Sequence, residues 1–264
     1  MTSFRELHQP GNPFILANAW DIGSAKMLAS LGAKAIATSS AAHGFTLGVP
    51  DGGVPRDQAL AHAQDLVAAV NVPVSGDFED GYGTAPETCA ETVRLAAEVG
   101  LAGICIEDTA LPDVAPYDFD LAVERMRAAA AAANALSKDF FLVGRTDVLL
   151  LGTAGLDEAI RRLTAFEEAG VDGLYAPGVQ SIADLKAIVD ATSIPVNALA
   201  IAPFQSVPLA ELAKTGIARV SLGAALARAT QRTLHDAAKA MLEDGDFTPL
   251  ARSISSDTVD ALLG

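Results

Sequence analysis

Short β-branched runs alternate with longer Ala/Leu-rich segments eight times along this chain, and no other feature limits the fold as much. The strand-like runs lie at 13–18, 33–39, 72–77, 102–107, 140–145, 173–176, 195–198 and 218–222. Helices are predicted at 22–31, 56–69, 85–99, 119–136, 156–169, 182–189, 209–214 and 224–242. This is the pattern of repeated βα units around a parallel sheet. Several helices stop at a glycine, as in Ala97-Glu98-Val99-Gly100 and Glu168-Ala169-Gly170-Val171-Asp172, where the residue supplies a left-handed cap. Eight strict alternations point to the α/β class and a closed (β/α)8 TIM-type barrel, although an open doubly wound sheet gives the same local signals. Neither a linker nor a charge run divides the chain. A single barrel domain over 1–264 is therefore expected, with 244–264, a polar break and a short apolar segment, as a C-terminal extension.

The charge balance narrows the function. The 18 Lys and Arg stand against 33 Asp and Glu, a net charge of −15, which disfavours nucleic acid and anionic membrane surfaces as partners. Met1-Thr2-Ser3-Phe4-Arg5-Glu6 is not a basic start followed by an apolar core, and no later apolar run is long enough to span a bilayer. A soluble, cytoplasmic protein without a membrane partner is the expectation. Cys89 and Cys105 match neither a disulfide framework nor a metal spacing and read as small buried hydrophobes.

In a barrel of this type the chemistry sits at the C-terminal ends of the strands. Asp77-Phe78-Glu79-Asp80-Gly81-Tyr82-Gly83 puts three carboxylates at the end of one strand, and Glu107-Asp108 closes the next. Like charges packed this closely must be protonated or share a cation. With only oxygen donors in both clusters, Mg²⁺ or Mn²⁺ is favoured over zinc or copper. Asp77, Glu79 and Glu107 are the candidate ligands. Arg145, ending the fifth strand in Gly144-Arg145-Thr146-Asp147, offers a fork that matches a substrate carboxylate. Backbone N–H groups around Ser39, Ser40 and Ala41 are placed to hold developing negative charge. Asp51 in the following loop, Asn197 in the seventh strand and Trp20 after the first complete the strand-end set. A small 2-oxo acid suits it. Asp80 also reads as a turn former, Asp108 as a helix cap, Arg145 as a structural partner of Asp147 or Glu107, and Trp20 as rim packing. His43 is the histidine closest to the set.

The arrangement resembles the isocitrate lyase and phosphoenolpyruvate mutase superfamily. The resemblance runs from Ala17-Asn18-Ala19-Trp20-Asp21 to Arg219-Val220-Ser221-Leu222-Gly223. It is carried most specifically by Asp77-Phe78-Glu79-Asp80-Gly81-Tyr82-Gly83, with Ile106-Glu107-Asp108, Arg145-Thr146-Asp147, and Ser39 twelve residues before Asp51 in support. It implies that Asp77 binds Mg²⁺ directly and that Glu79 and Glu107 act through water. It further implies that Ser39, Ser40 and Ala41 line the oxyanion pocket, that Arg145 holds a carboxylate, and that Asp51 stands beside the reacting bond. Members of the family act on C–C or P–C bonds next to a 2-oxo acid through an enolate. They assemble as homotetramers that exchange a C-terminal helix.

One stretch departs from the pattern. The lyases carry a Lys-Lys/Arg-Cys-Gly motif in the loop after the Glu-Asp pair, and the mutases use a lysine and an asparagine there. Residues 109–118 of this chain contain neither cysteine nor lysine. The half of the site that binds a 2-oxo acid is complete, so the leading expectation is a Mg²⁺-dependent carbon–carbon lyase acting on a small 2-oxo or 2-hydroxy dicarboxylate, with oxaloacetate decarboxylation as its simplest form. The alternatives are a mutase or hydrolase acting on the P–C bond of phosphonopyruvate or on phosphoenolpyruvate, and a 2-oxo-acid-binding protein with little catalysis. Tyr117 and His43 are the candidates to replace the missing loop groups.

Overall fold

A computed structural model describes residues 2–111 and 113–264; Met1, and Pro112 in the loop without cysteine or lysine, lie outside the described residues. Eight parallel strands close into a barrel. In chain order they are β1 (Phe14–Asn18), β2 (Ile36–Ala37), β3 (Val74–Asp77), β4 (Gly103–Glu107), β7 (Phe141–Arg145), β8 (Gly173–Tyr175), β9 (Val196–Leu199) and β10 (Arg219–Ser221). β1 pairs with both β2 and β10 to close the ring. Two further strands, β5 (Thr109–Ala110) and β6 (Ala115–Pro116), form an antiparallel hairpin above β4.

Around the barrel run α1 (Ile22–Ser30), α2 (Ser40–Leu47), α3 (Arg56–Ala69), α4 (Pro86–Glu98), α5 (Phe119–Asn134), α6 (Leu156–Ala169), α7 (Ile182–Asp190), α8 (Leu209–Ala213) and α9 (Ala225–Asp244). The chain ends in α10 (Ser256–Leu263), which lies on α1 of the same chain, where Lys26 Nζ donates to the Leu263 carbonyl at 3.0 Å. Helix α2 falls in a segment expected to be loop. Ser39 caps its start, accepting from the Ala42 N–H, and Gly48 at φ 71° ends it. The second strand, expected over 33–39, keeps only Ile36 and Ala37 in the ladder. Among the described residues no helix is long and apolar enough to cross a membrane.

The helices face the barrel with small side chains. In α5, Ala122, Ala129, Ala130 and Ala133 are buried; in α4, Cys89, Ala96 and Ala97 are, so the two helices pack closely along their length. The two cysteines remain thiols, Cys89 buried and Cys105 half-buried. Inside the barrel the floor is apolar. Phe4, Phe14, Leu16, Phe141 and Val143 pack together, and His8 stacks on Phe141 with ring centroids 3.8 Å apart. Burial and the nearby Arg219 push His8 down to about 3, so it is a neutral member of this plug.

The inward side chains change character along one line of strand register. Glu107 pairs with Arg145, Arg145 with Tyr175, Tyr175 with Asn197, Asn197 with Arg219, and Arg219 with Phe14. Barrel stagger thus leads from charge at the mouth to hydrocarbon at the floor. Phe141 needs room at that floor, and two glycines provide it. A Cβ on Gly103 would lie 2.2 Å from the Phe141 carbonyl oxygen, and one on Gly173 would lie 2.9 Å from the Phe141 ring.

Gly103→Ala is expected to cost about 3 kcal/mol, because a backbone oxygen has nowhere to move without opening the β4–β7 ladder. Urea denaturation measures it. An unchanged midpoint would mean that the pairing yields freely.

Candidate active site

Asp77 and Glu107 end the paired strands β3 and β4 at the C-terminal mouth, and Glu79 follows in the turn after β3. Asp77 ends β3, its N–H donating to Thr38 Oγ1 at 2.8 Å. Its Oδ2 accepts from both the N–H and the hydroxyl of Ser40, each at 3.0 Å, so the first turn of α2 is fastened to it. The Ser40 hydroxyl also lies 3.0 Å from Asp51 Oδ1. One hydroxyl hydrogen cannot serve two carboxylates. Burial and the charge of Asp77 raise Asp51 above its ordinary value. Ser40 Oγ therefore lies at the junction of Asp51 and Asp77.

Glu79 stands in a left-handed turn, at φ 48°. It is 5% exposed, and its Oε1 is buried without a hydrogen-bond partner. Burial, then Asp77, Asp51 and Asp80, push its carboxyl up to about 8. A buried carboxylate oxygen left over among acids is a place for a cation. The donor set of Asp77, Glu79 and Glu107 is all oxygen, which fits Mg²⁺ or Mn²⁺. Among the described residues, however, no three acidic, histidine or cysteine side chains form a ready-made cage.

Arg145 explains part of that spacing. Its Nε and Nη2 donate to the two oxygens of Asp147 at 2.6 and 2.8 Å, and its Nη1 lies 2.8 Å from Glu107 and 3.9 Å from Asp77. Burial opposes the charge, but Asp147 and Glu107 outweigh it and hold Arg145 well above its ordinary value. The fork expected to meet substrate therefore points at protein carboxylates. The structural pairing of Arg145 with Asp147 or Glu107, the alternative in the sequence, is made with both.

The remaining candidates lie at different depths. Ser39 is buried as the cap of α2, and Ala41 follows Ser40 in that helix's first turn. Trp20 is half-buried in the turn after β1, where its N–H donates to Ser24 Oγ and its carbonyl accepts from His62 Nε2 at 3.0 Å. Asn197 faces the barrel interior with both ends of its amide engaged, accepting from Arg219 Nε at 2.9 Å and donating to Ser221 Oγ at 2.8 Å. His43 stacks on His62 at 3.7 Å between centroids, and burial lowers both, His62 to about 4. Asp108 caps no helix; it accepts from Thr146, from the Asp147 N–H and from Arg162. Asp80 forms the turn, accepting from the Tyr82 N–H at 2.8 Å. Beside Glu79 and Asp80, a cleft of about 890 Å³ opens between the starts of α3 and α4, lined also by Gly52, Arg56, Tyr82 and Leu111.

The closed (β/α)8 barrel carries acidic clusters at the ends of its third and fourth strands, and the comparisons show the family to which such a chain belongs. The chain matches the family model described as phosphoenolpyruvate phosphomutase over residues 4–242 and belongs to the isocitrate lyase and phosphoenolpyruvate mutase superfamily. A crystal structure from Burkholderia cenocepacia J2315, provisionally assigned as a lyase/mutase, is 44% identical, with a TM-score of 0.94 over 98% of this chain and 94% of the other. The oxaloacetate decarboxylase of Paraburkholderia xenovorans is 34% identical, covering 84% of this chain and 75% of its own. The 2-methylisocitrate lyase of Escherichia coli is 29% identical, covering 77% and 73%.

Glu79, pushed up to about 8 by burial and its acidic neighbours, favours its protonated form at pH 7, and a cation bound there would displace the proton. Mg²⁺ binding at pH 7 is expected to release on the order of one proton and to tighten as the pH rises toward 8. Calorimetry in two buffers of different ionisation enthalpy counts it; no proton release would contradict the reading. Without the cation, the same raised value makes folding progressively less favourable as the pH climbs from the ordinary 4.5 through 8.

Proposed function

We propose that this protein is a Mg²⁺-dependent lyase that breaks a C–C bond of a small 2-oxo or 2-hydroxy dicarboxylate through an enolate, as in the decarboxylation of oxaloacetate. The observation that carries this is the unpartnered, buried Glu79 oxygen beside Asp77 at the end of β3. The lyase names of relatives support it.

Asp77, with Glu79 and Glu107, would hold the ion. When bound, it supplies Lewis acidity toward the oxo and carboxylate oxygens. Ser40 fixes Asp77 through two donors, and the first turn of α2 turns its positive end toward charge developing on the substrate. Arg145, fixed by Asp147, keeps a permanent positive charge next to Glu107. As CO₂ leaves, the bonding pair stays on the adjacent carbon and must take a proton. Asp51, at the rim with its proton affinity raised, is the group placed to hold one.

The test is incubation with Mg²⁺ and oxaloacetate, methylisocitrate, isocitrate, phosphonopyruvate or phosphoenolpyruvate, followed by carbon and phosphorus NMR. Turnover of a carbon substrate is expected to vanish with EDTA and to fall at least a hundredfold in Asp77→Ala. Full turnover in excess EDTA would remove the proposal. The family model's description makes the P–C reading the alternative, and a changing phosphorus signal would favour it.

The terminal segment supports a homotetramer as part of the same reading. Leu242, Phe247 and Ile254 are 86%, 66% and 55% exposed in the single chain, an apolar surface that association covers. Light scattering is expected to give four chain masses for the full protein and a smaller assembly after removal of 245–264. A monomeric full-length protein would rule the tetramer out.

A further inference from the structure

We propose that Tyr117 and Arg125 are positioning residues for the cation site, so that the loop after β4 acts in this protein as a brace for the acidic turn. The inference rests on the proposed cation site. It concerns residues to which the strand-end reading gave no such role.

The turn from Glu79 to Thr84 is an awkward piece of backbone. Two non-glycine residues in it, Glu79 and Tyr82, have φ of 48° and 66°. Left-handed conformations of this kind persist only where the surroundings enforce them. Here the enforcement comes from two side chains. Arg125 of α5, fully buried, donates to the carbonyls of Asp80, Gly83 and Thr84, three acceptors in one turn. Its guanidinium lies over the Tyr117 ring at 4.1 Å. The Tyr117 hydroxyl in turn donates to Asp80 Oδ2 at 2.7 Å.

Tyr117 is itself held at both ends of its peptide unit. Its N–H donates to the Asp108 carbonyl at 2.8 Å, and its own carbonyl accepts from Arg162 at 3.0 Å. The hairpin of β5 and β6 ends one residue before it. The loop is therefore tied down at the point where it reaches the acidic turn, and its contribution passes through Asp80 to the orientation of Glu79. Neither residue has to touch substrate. Their part is to keep Glu79 Oε1 aimed, which is the role of an outer-shell partner at a metal site.

Mg²⁺ affinity of Tyr117→Phe and Arg125→Lys, measured by calorimetry without substrate, tests the proposal. Tyr117→Phe removes only the O–H and keeps the ring under Arg125. Its Kd for Mg²⁺ is expected to rise about tenfold, with a larger rise for Arg125→Lys. At saturating Mg²⁺, turnover of Tyr117→Phe is expected to recover to within about twofold of wild type, since only positioning was lost. Lys138→Met, which uncaps the Ala97 and Leu101 carbonyls far from the turn, is the stability control and is expected to leave the Mg²⁺ affinity unchanged. Wild-type binding matched by Tyr117→Phe and Arg125→Lys overturns the brace alone. An equal loss in Lys138→Met also overturns it, by tracing the effect to general stability. A wild type that binds no Mg²⁺ removes the cation site, and the brace with it.

Discussion

Two buried arginines and a half-buried one make the acidic mouth possible in a chain whose net charge is −15. Arg145 lies between Asp147 and Glu107, Arg162 pairs with Asp108, and Arg125 gathers the carbonyls of the turn that carries Glu79 and Asp80. Burying a guanidinium is costly by itself, and so is burying a carboxylate; Arg145 and Arg162 offset both by pairing with acids, whereas Arg125 bonds carbonyls alone and keeps a buried Nε without a partner. Removing Arg145 or Arg162 would leave Asp147 or Asp108, both buried, without its compensating charge. The loops above β3, β4 and β7 depend on these pairings for their shape.

What the sequence made legible is what local periodicity and local charge encode. Eight alternations predicted the barrel, and the acid-rich runs mark the ends of β3 and β4, where Asp77 and Glu107 stand. Helix α2 was missed because Ser40 to Leu47 includes Gly44 and Thr46 and has no clear apolar stripe, although Ser39 and Gly48 supplied both of its caps. Arg125 and Arg162 were out of reach for a different reason. On an isolated helix an arginine reads as solvent-facing, and only closure of the barrel brings α5 and α6 beneath the loops they hold. The same closure turned Arg145 toward Asp147, two residues along its own chain, a pairing that a list of strand ends leaves open.

The loop after β4 shows how a superfamily member can keep a scaffold and rewrite one segment. Residues 109–118 lack the cysteine and lysine of the related motif, yet most of the loop is well tied to the barrel. Thr109 donates to Asp147, Tyr117 to Asp80, and the short β5–β6 ladder joins its two sides. A segment fastened at this many points has exchanged freedom of movement for placement. At the rim beside it, the Ser40 hydroxyl lies between Asp51 and Asp77.

The plug of Phe4, His8 and Phe141 closes the lower end of the barrel. A barrel packed at that end leaves the opposite mouth, where Asp77 and Glu107 end their strands, as the way in and out for any small molecule.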